Sequence, residues 1–482
     1  MALIYCWGFA AASIVAEGNE KPNIVYIMTD DHAVQMMSAY DNSRASTPHL
    51  DRIGKEGILF RNSFNTNALC APSRATLLTG KYSHKNGQLS NRQPFNGDQQ
   101  TFPKLLQKAG YQTAVIGKWH LRSSPTGFDY SNILPGQGDY IDPELIEQGV
   151  KKKHKGYVTD IITDLAMDWL KGRDKTKPFC LLYHHKAPHA EFVPDPKHEN
   201  LFDEVTVPTP VSFDDDSSAR AKPVQDTTNR MVPGIQERWH TWGAKRHKEA
   251  PPEGLDGKAL EMWLYQQYVK DYKRVMVSVD QNVGRFLDFL DEQGLTQNTI
   301  VIYTSDNGMF VGDHNMYDKR LVHEEALRIP LAIRFPKVIK AGSVTDLYSL
   351  NIDYAPTILD FAGLKIPNDM QGRSLRPILE GKNPDDWRQS IYYHYYEPPG
   401  KHNIPLHYAL RTDRFKLIHY YTKQRTDLGW ELIDLKNDPH EYRNVIDLPE
   451  YQNALADMKQ QLAQARKTFD VPKEHGVSSS KE

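Results

Sequence analysis

Asn67-Ala-Leu-Cys-Ala-Pro-Ser-Arg-Ala-Thr-Leu-Leu-Thr-Gly80 sets a lone cysteine just ahead of a proline and closes an apolar, Thr-rich run on a glycine. Proline in the first turn and glycine just past the last are the usual punctuation of a short helix. Cys70 then lies at a helix N-terminus, where unpaired N–H groups and the helix dipole favour an anion. Arg74 adds a fixed positive charge one turn on. A buried cysteine beside a helix cap would satisfy the same pattern, so the rest of the chain has to decide between structure and chemistry.

Working outward, four apolar strands end in polar residues of related kinds. Asn23-Ile-Val-Tyr-Ile-Met-Thr runs into Asp30 and Asp31, and Tyr111-Gln-Thr-Ala-Val-Ile-Gly117 runs into Lys118, Trp119 and His120. Pro178-Phe-Cys-Leu-Leu-Tyr183 ends in His184-His-Lys-Ala-Pro-His189, and Thr299-Ile-Val-Ile-Tyr-Thr-Ser305 ends in Asp306, Asn307 and Gly308. Continuous apolar runs suit central strands covered on both faces. In open α/β sheets ligands bind at the carboxyl ends of such strands. Asp30, Asp31, Asp306 and Asn307 offer hard oxygen donors, which favours Ca²⁺ or Mg²⁺ over zinc.

Helical segments are expected at 49–57, 101–110, 157–172, 260–293 and 353–364, with a further strand at Leu331–Phe335. Between about 194 and 257 the pattern fails amid Pro, Asp and Lys, and that stretch reads as a wall of the substrate pocket. Composition shifts near 381–386. Beyond it, 391–396, 407–411, 415–421 and 430–435 alternate with period two, as antiparallel strands do, and 449–468 reads as a terminal helix. The organisation that follows is a leading region 1–20, a catalytic domain 21–383, a small α+β subdomain 384–472 and a polar tail 473–482.

At 482 residues and a net charge of −2, with 39% hydrophobic residues and mean hydropathy −0.62, the chain suits a soluble globular protein. It has no basic excess with which to hold nucleic acid, so an anionic substrate must be met by local charge. Three cysteines, Cys6, Cys70 and Cys180, make no disulfide framework. Residues 3–16 are apolar and end in small residues, which suits a truncated or mis-started secretory signal lacking its basic start. They are too short for a stable membrane span. No Asn-x-Ser/Thr sequon occurs, and together these features favour a secreted or periplasmic bacterial protein.

Cys70-x-Pro-Ser-Arg74 followed by Leu78-Thr-Gly-Lys81 resembles the signature of the type I sulfatases. The Asp30–Asp31 strand, Gly117-Lys-Trp-His-Leu121, His185…Pro188-His189, Ser305-Asp-Asn-Gly308, Asp318-Lys-Arg320 and Trp430–Pro439 match as well, so the resemblance covers nearly the whole chain. It implies an alkaline-phosphatase-like α/β core, with a mixed, mostly parallel sheet flanked by helices, plus a smaller C-terminal antiparallel sheet with a helix. It also implies that a maturation enzyme oxidises Cys70 to Cα-formylglycine, and that Asp30, Asp31, Asp306, Asn307 and residue 70 bind Ca²⁺.

Carried onto these positions, the family's mechanism has a hydroxyl of the hydrated aldehyde at residue 70 ionised by Ca²⁺, Arg74 and Lys118. It attacks sulfur while His189 and Lys319 hold the other sulfate oxygens and donate to the leaving alcohol. His120 then takes the proton that expels sulfate. At subfamily level, Thr29-Asp-Asp-His-Ala33, Tyr183–His189 and Tyr317–Arg320 resemble bacterial N-acetylglucosamine-6-sulfatases, which act at chain ends of glycosaminoglycan or mucin glycans. Asp318, Arg320, His185, His314 and His407 are then candidates for the sugar. Three readings stand beside this one: a phosphonate or phosphate ester hydrolase of the same superfamily, a sulfatase for 2-O- or 4-O-sulfated sugars, and a carbohydrate-binding protein whose Cys70 stays unmodified.

Overall fold

The computed structural model describes residues 21–239, 250–400 and 402–476. The leading region 1–20, part of the pocket-wall stretch, and residues 477–482 of the tail lie outside the described residues.

Four parallel strands form the middle of a ten-stranded sheet. They are β1 (Asn23–Thr29), β2 (Gln112–Lys118), β3 (Phe179–His184) and β4 (Thr299–Ser305), adjacent in space in the order β4-β1-β3-β2. All are almost wholly buried, as their unbroken apolar sequences require. Successive side chains point to opposite faces. Val25 and Ile27 therefore join one core with the helices Val158–Gly172 and Gly257–Glu292. Ile24, Tyr26 and Met28 join the other, with the helices Cys70–Thr79, Phe102–Lys108 and Tyr354–Phe361. The result is three layers, with every central strand delivering its carboxyl end to the same edge.

The flanks were less legible. The strand Leu331–Arg334 is where one is expected, and it pairs antiparallel with β4; the ribbon Tyr130–Leu134, Glu144–Glu147 and Val150–Lys153 beyond β2 is not anticipated. Val150–Lys153 is exposed throughout and reads Val-Lys-Lys-Lys, so it carries no buried alternation to find.

The four strands Ser390–Tyr395, Leu406–Thr412, Phe415–Tyr421 and Asp427–Asp434 make an antiparallel meander on which the helix Gln452–Thr468 packs. A buried ion network ties this sheet to the core: Arg220 pairs bidentately with Glu431 at 2.9 and 2.8 Å, and Lys416 pairs with Glu441 at 2.8 Å and Glu324 at 2.9 Å. No described helix is long and apolar enough to cross a membrane.

Gly117, one residue before the end of β2, has φ 104°, and a Cβ there would lie 1.9 Å from the His184 carbonyl oxygen. Backbone meets backbone at that point, so nothing can give way cheaply. Gly117→Ala is expected to cost about 3 kcal/mol or more, read as a thermal midpoint lower by roughly 5 °C. An unchanged midpoint would contradict the close approach of β2 and β3.

Candidate active site

The helix Cys70–Thr79 begins on Cys70 itself and ends at Gly80, whose φ of 65° is the left-handed cap that glycine accommodates. Its first turn abuts the strand ends. Asp30 and Asp31 leave β1, Asp31 turning sharply at φ 67° so that its N–H donates to Asp306 Oδ1 at 3.1 Å. The Asp306 N–H in turn donates to the Thr29 carbonyl at 3.2 Å. Arg74 fastens three of these ends together. Its Nε donates to Asp306 Oδ2 at 3.0 Å and its Nη1 to the Lys118 carbonyl at 2.6 Å, while Nη2 makes ion pairs with Asp306 Oδ2 at 2.9 Å and Asp30 Oδ2 at 3.5 Å.

Asp30, Asp31 and Asp306 are at most 1% exposed, and each offers a carboxylate oxygen within 4.8 Å of the others. Asn307 donates to Asp31 Oδ1 at 3.2 Å, while its own Oδ1 is buried with no hydrogen-bond partner. Three carboxylates and an orphaned amide oxygen converging in a dry site suit a hard divalent cation. Arg74, Lys118 and Lys319 answer the carboxylates charge for charge, Lys118 pairing with Asp30 and Lys319 with Asp31. Burial still pushes Asp31 up to about 6, against the pull of the Lys319 ammonium. A divalent cation added to this balanced set leaves an excess of positive charge facing whatever enters.

Cys70 is 1% exposed; its Sγ lies 3.5 Å from Asp30 Oδ1 and 3.9 Å from Asn307 Nδ2. A carboxylate oxygen of Asp30, Cys70 Sγ and a ring nitrogen of His189 also lie within 4.8 Å of one another. Burial pushes the thiol up to about 12, outweighing Lys319. An unmodified thiol here is protonated at neutral pH and is a poor nucleophile.

Above the cluster opens a cleft of about 390 Å³. Asp31, Cys70, His189 and Lys319 lie on its floor, and Asp318, Arg320, Lys186, Gln137, Arg238 and His402 line its walls. His189 Nε2 is 3.8 Å from Asp31 Oδ2, while its Nδ1 meets the Ala190 carbonyl. That contact fixes the Nδ1–H tautomer and turns the Nε2 lone pair of the neutral ring toward the site. Burial, then Lys118 and Lys319, hold His189 well below the usual imidazole range. Lys319 is raised despite burial, chiefly by Asp31. Asp318 and Arg320 flank it in left-handed conformations, φ 67° and 92°, and pair with each other at 3.2 Å. Arg320 also reaches Tyr395 at 3.2 Å and Glu397 at 3.4 Å.

Three expected sugar contacts, His185, His314 and His407, are placed away from the cleft, and His120 lies outside its lining but among the charges of Lys118, Arg74 and Lys319. His120 does not line this cleft; its ring borders an adjoining hollow with Arg122 and Pro135, its Nδ1 buried without a partner. Burial, Lys118 and Arg74 hold that ring near 2, hence neutral. His185 packs against the Tyr183 ring at 4.5 Å and is pushed down to about 3 by burial. His314 is fully buried and bonds Asp215 at 2.6 Å. His407 is sandwiched between Tyr395 and Tyr393 in the C-terminal sheet, at 5.2 and 5.8 Å. Its place at the cleft is taken by His402, from the loop ahead of its strand, with Nε2 3.1 Å from Asp318 Oδ2. The pocket-wall stretch contributes Ile235 and Arg238.

Residues 22–364 match the sulfatase family model, and residues 312–468 match the model described as N-sulphoglucosamine sulphohydrolase, C-terminal. The chain is 47% identical to an N-acetylglucosamine-6-O-sulfatase of Bacteroides thetaiotaomicron, over 94% of this chain and 88% of that one. It is 29% identical to the Homo sapiens N-acetylglucosamine-6-sulfatase, over 79% and 68%. Among solved structures it superposes, with TM-score 0.90 and 45% identity over 96% of this chain and all of the other, on a protein in complex with its substrate D-glucosamine-2-N,6-O-disulfate. A phosphonate monoester hydrolase of Agrobacterium radiobacter shares the fold, with TM-score 0.74 and 21% identity over 93% of this chain and 96% of that one.

Proposed function

The chain belongs to the sulfatase family, and from that premise we propose that it removes the 6-O-sulfate from N-acetylated or N-sulfated glucosamine at the end of a glycosaminoglycan or mucin chain. The observation that carries this reading is the cleft itself. A cation-binding cluster, Cys70 and three positive side chains lie on or just beneath its floor, and Asp318 and Arg320 stand beside them, where they can meet ring hydroxyls of a sugar whose sulfate points inward. Similarity to proteins named for this activity supports the same substrate.

In this proposal Asp30, Asp31, Asp306, Asn307 and the side chain at 70 hold Ca²⁺, which supplies Lewis-acid charge toward sulfate oxygens. The side chain of residue 70, oxidised from Cys by a maturation enzyme and hydrated, supplies the attacking oxygen and a second hydroxyl for release. Arg74 keeps Asp306 and the end of β2 in register. Lys118 and Lys319 oppose the charge that builds on the sulfate group. Lys319, kept protonated by Asp31, is the acid for the departing sugar oxygen, and His189, whose Nε2 faces the same space, donates to the sulfate group only when Nε2 carries a proton. His120, whose Nδ1 is buried without a partner, is the residue assigned to accept the proton of the second hydroxyl. The chain is divided at about 383 into a catalytic domain and a C-terminal subdomain that brings His402 to the cleft and Glu397 to Arg320 on its wall. The enzyme works in the periplasm or outside the cell of a bacterium.

The matured enzyme is expected to release sulfate from N-acetylglucosamine-6-sulfate at least about 100-fold faster than from 2-O- or 4-O-sulfated monosaccharides. Equal rates across such a panel, measured by ion chromatography, would remove the 6-O assignment. Faster hydrolysis of a phosphonate monoester than of every sulfate ester would favour the phosphoester reading instead.

A further inference from the structure

Between the strand Tyr130–Leu134 and the buried Tyr140 the chain runs Pro135-Gly-Gln-Gly-Asp139. Gly136 and Gly138 both take left-handed conformations, φ 57° and 69°, and a Cβ at position 138 would meet the Leu134 side chain at 2.9 Å. The loop thus pivots on either side of Gln137 and delivers that half-buried residue to the cleft wall. Its side-chain carbonyl Oε1 accepts from the Lys118 ammonium, and its main-chain carbonyl accepts from Lys186 Nζ at 3.1 Å. Lys186 lies over the Tyr140 ring, 4.7 Å from the centroid, so loop and cation are anchored to one wall.

The chemistry of the partner decides which way the amide points. An ammonium offers only protons, so the atom facing Lys118 is the oxygen and the NH₂ is turned away from it. Among the described residues no protein acceptor takes that NH₂, although Gln137 lines the same cleft as Cys70 and His189. A neutral donor is thereby placed next to a lysine whose charge is already shared with Asp30. Such a group adds a hydrogen bond to an oxyanion without adding net charge, which suits a singly charged ester better than a doubly charged one.

We propose that Gln137 is a substrate-contacting residue: its Nε2–H₂ donates to an oxygen of the sulfate group while its Oε1 holds the Lys118 ammonium beside that oxygen. This rests on the sulfate-ester reading above and adds to it a neutral donor on the wall of the sulfate subsite.

Two variants separate the two halves of the role. Gln137→Glu keeps an acceptor for Lys118 but turns a carboxylate oxygen toward the substrate; Gln137→Ala removes both functions. Inorganic sulfate titrated by calorimetry into the calcium-loaded protein is expected to bind about tenfold more weakly to the alanine variant, and more weakly still to the glutamate variant. The specificity constant on N-acetylglucosamine-6-sulfate is expected to fall about 10-fold and about 100-fold respectively, with thermal midpoint and calcium content unchanged. A glutamate variant within twofold of wild type in sulfate affinity overturns the proposal. So does a loss of calcium or thermal stability that accounts for the deficit, because the role would then be structural. Wild type that binds sulfate but spares every 6-O-sulfated sugar defeats the substrate reading alone, since the sulfate titrations still test Gln137. Wild type that does not bind sulfate overturns both.

Discussion

Replacing Cys70 with alanine is expected to abolish sulfate release, by about 10⁴-fold or more, while the fold stays intact. The side chain is 1% exposed at the start of a helix whose other nine residues are also buried, so the helix does not depend on that one sulfur for its packing. The chemistry does depend on it. Burial lifts the thiol to about 12, so the unmodified residue holds its proton and supplies no nucleophile. Cys70→Ser tests the account more finely. A serine hydroxyl at that point can accept the sulfuryl group as the S–O bond to the sugar breaks. It then has no second hydroxyl whose proton can be removed to expel sulfate. The expected outcome is one turnover at most and a sulfated peptide containing residue 70 by mass spectrometry. Steady turnover by either variant would end the proposed mechanism. Mass spectrometry of the active wild-type enzyme should show the same peptide with the sulfur and two hydrogens of Cys70 replaced by one oxygen.

Removing divalent cations with a chelator is expected to lower activity about 100-fold or more and to lower the thermal midpoint. Calcium should restore both, and zinc should not, because the donors are oxygens. A cation present at about a thousand times its dissociation constant stabilises the native state by about 4 kcal/mol. Without it, three buried carboxylates are answered only by Arg74, Lys118 and Lys319. Those side chains then lean on the aspartates instead of facing the substrate. Chelation therefore disarms the cleft twice, by taking away the cation's charge and by drawing the two lysines back. Asp31→Asn should mimic this, since it removes one donor oxygen's charge and the anchor of Lys319 together.

The strand ends were legible because each apolar run stops abruptly at polar residues, and a parallel sheet sends every such end to one edge. Asp30, Asp31, Lys118, Asp306 and Asn307 fall where that logic puts them, and Cys70 meets them because its helix begins on the cysteine. Histidines were harder to place. His407 sits in a strand with period-two alternation, and the alternation turns it into a stack of tyrosines; His402, in the preceding loop, is free of that constraint and reaches Asp318. His314 is a buried histidine bonded to Asp215, and His185 is packed on Tyr183 with both ring nitrogens buried and unpartnered. Gln137 and Arg238 gave no signal at all. One lies between two glycines in an unread ribbon, the other in a stretch without periodicity, and only the folded backbone brings them to the cleft.

The most direct measurement is a long-wavelength diffraction experiment on crystals of the matured, calcium-loaded enzyme. The account predicts a single calcium signal bonded to oxygens of Asp30, Asp31, Asp306 and the Asn307 amide, with the oxidised side chain of residue 70 beside it. A signal elsewhere, or an intact Cys70 thiol in crystals of active enzyme, would contradict it.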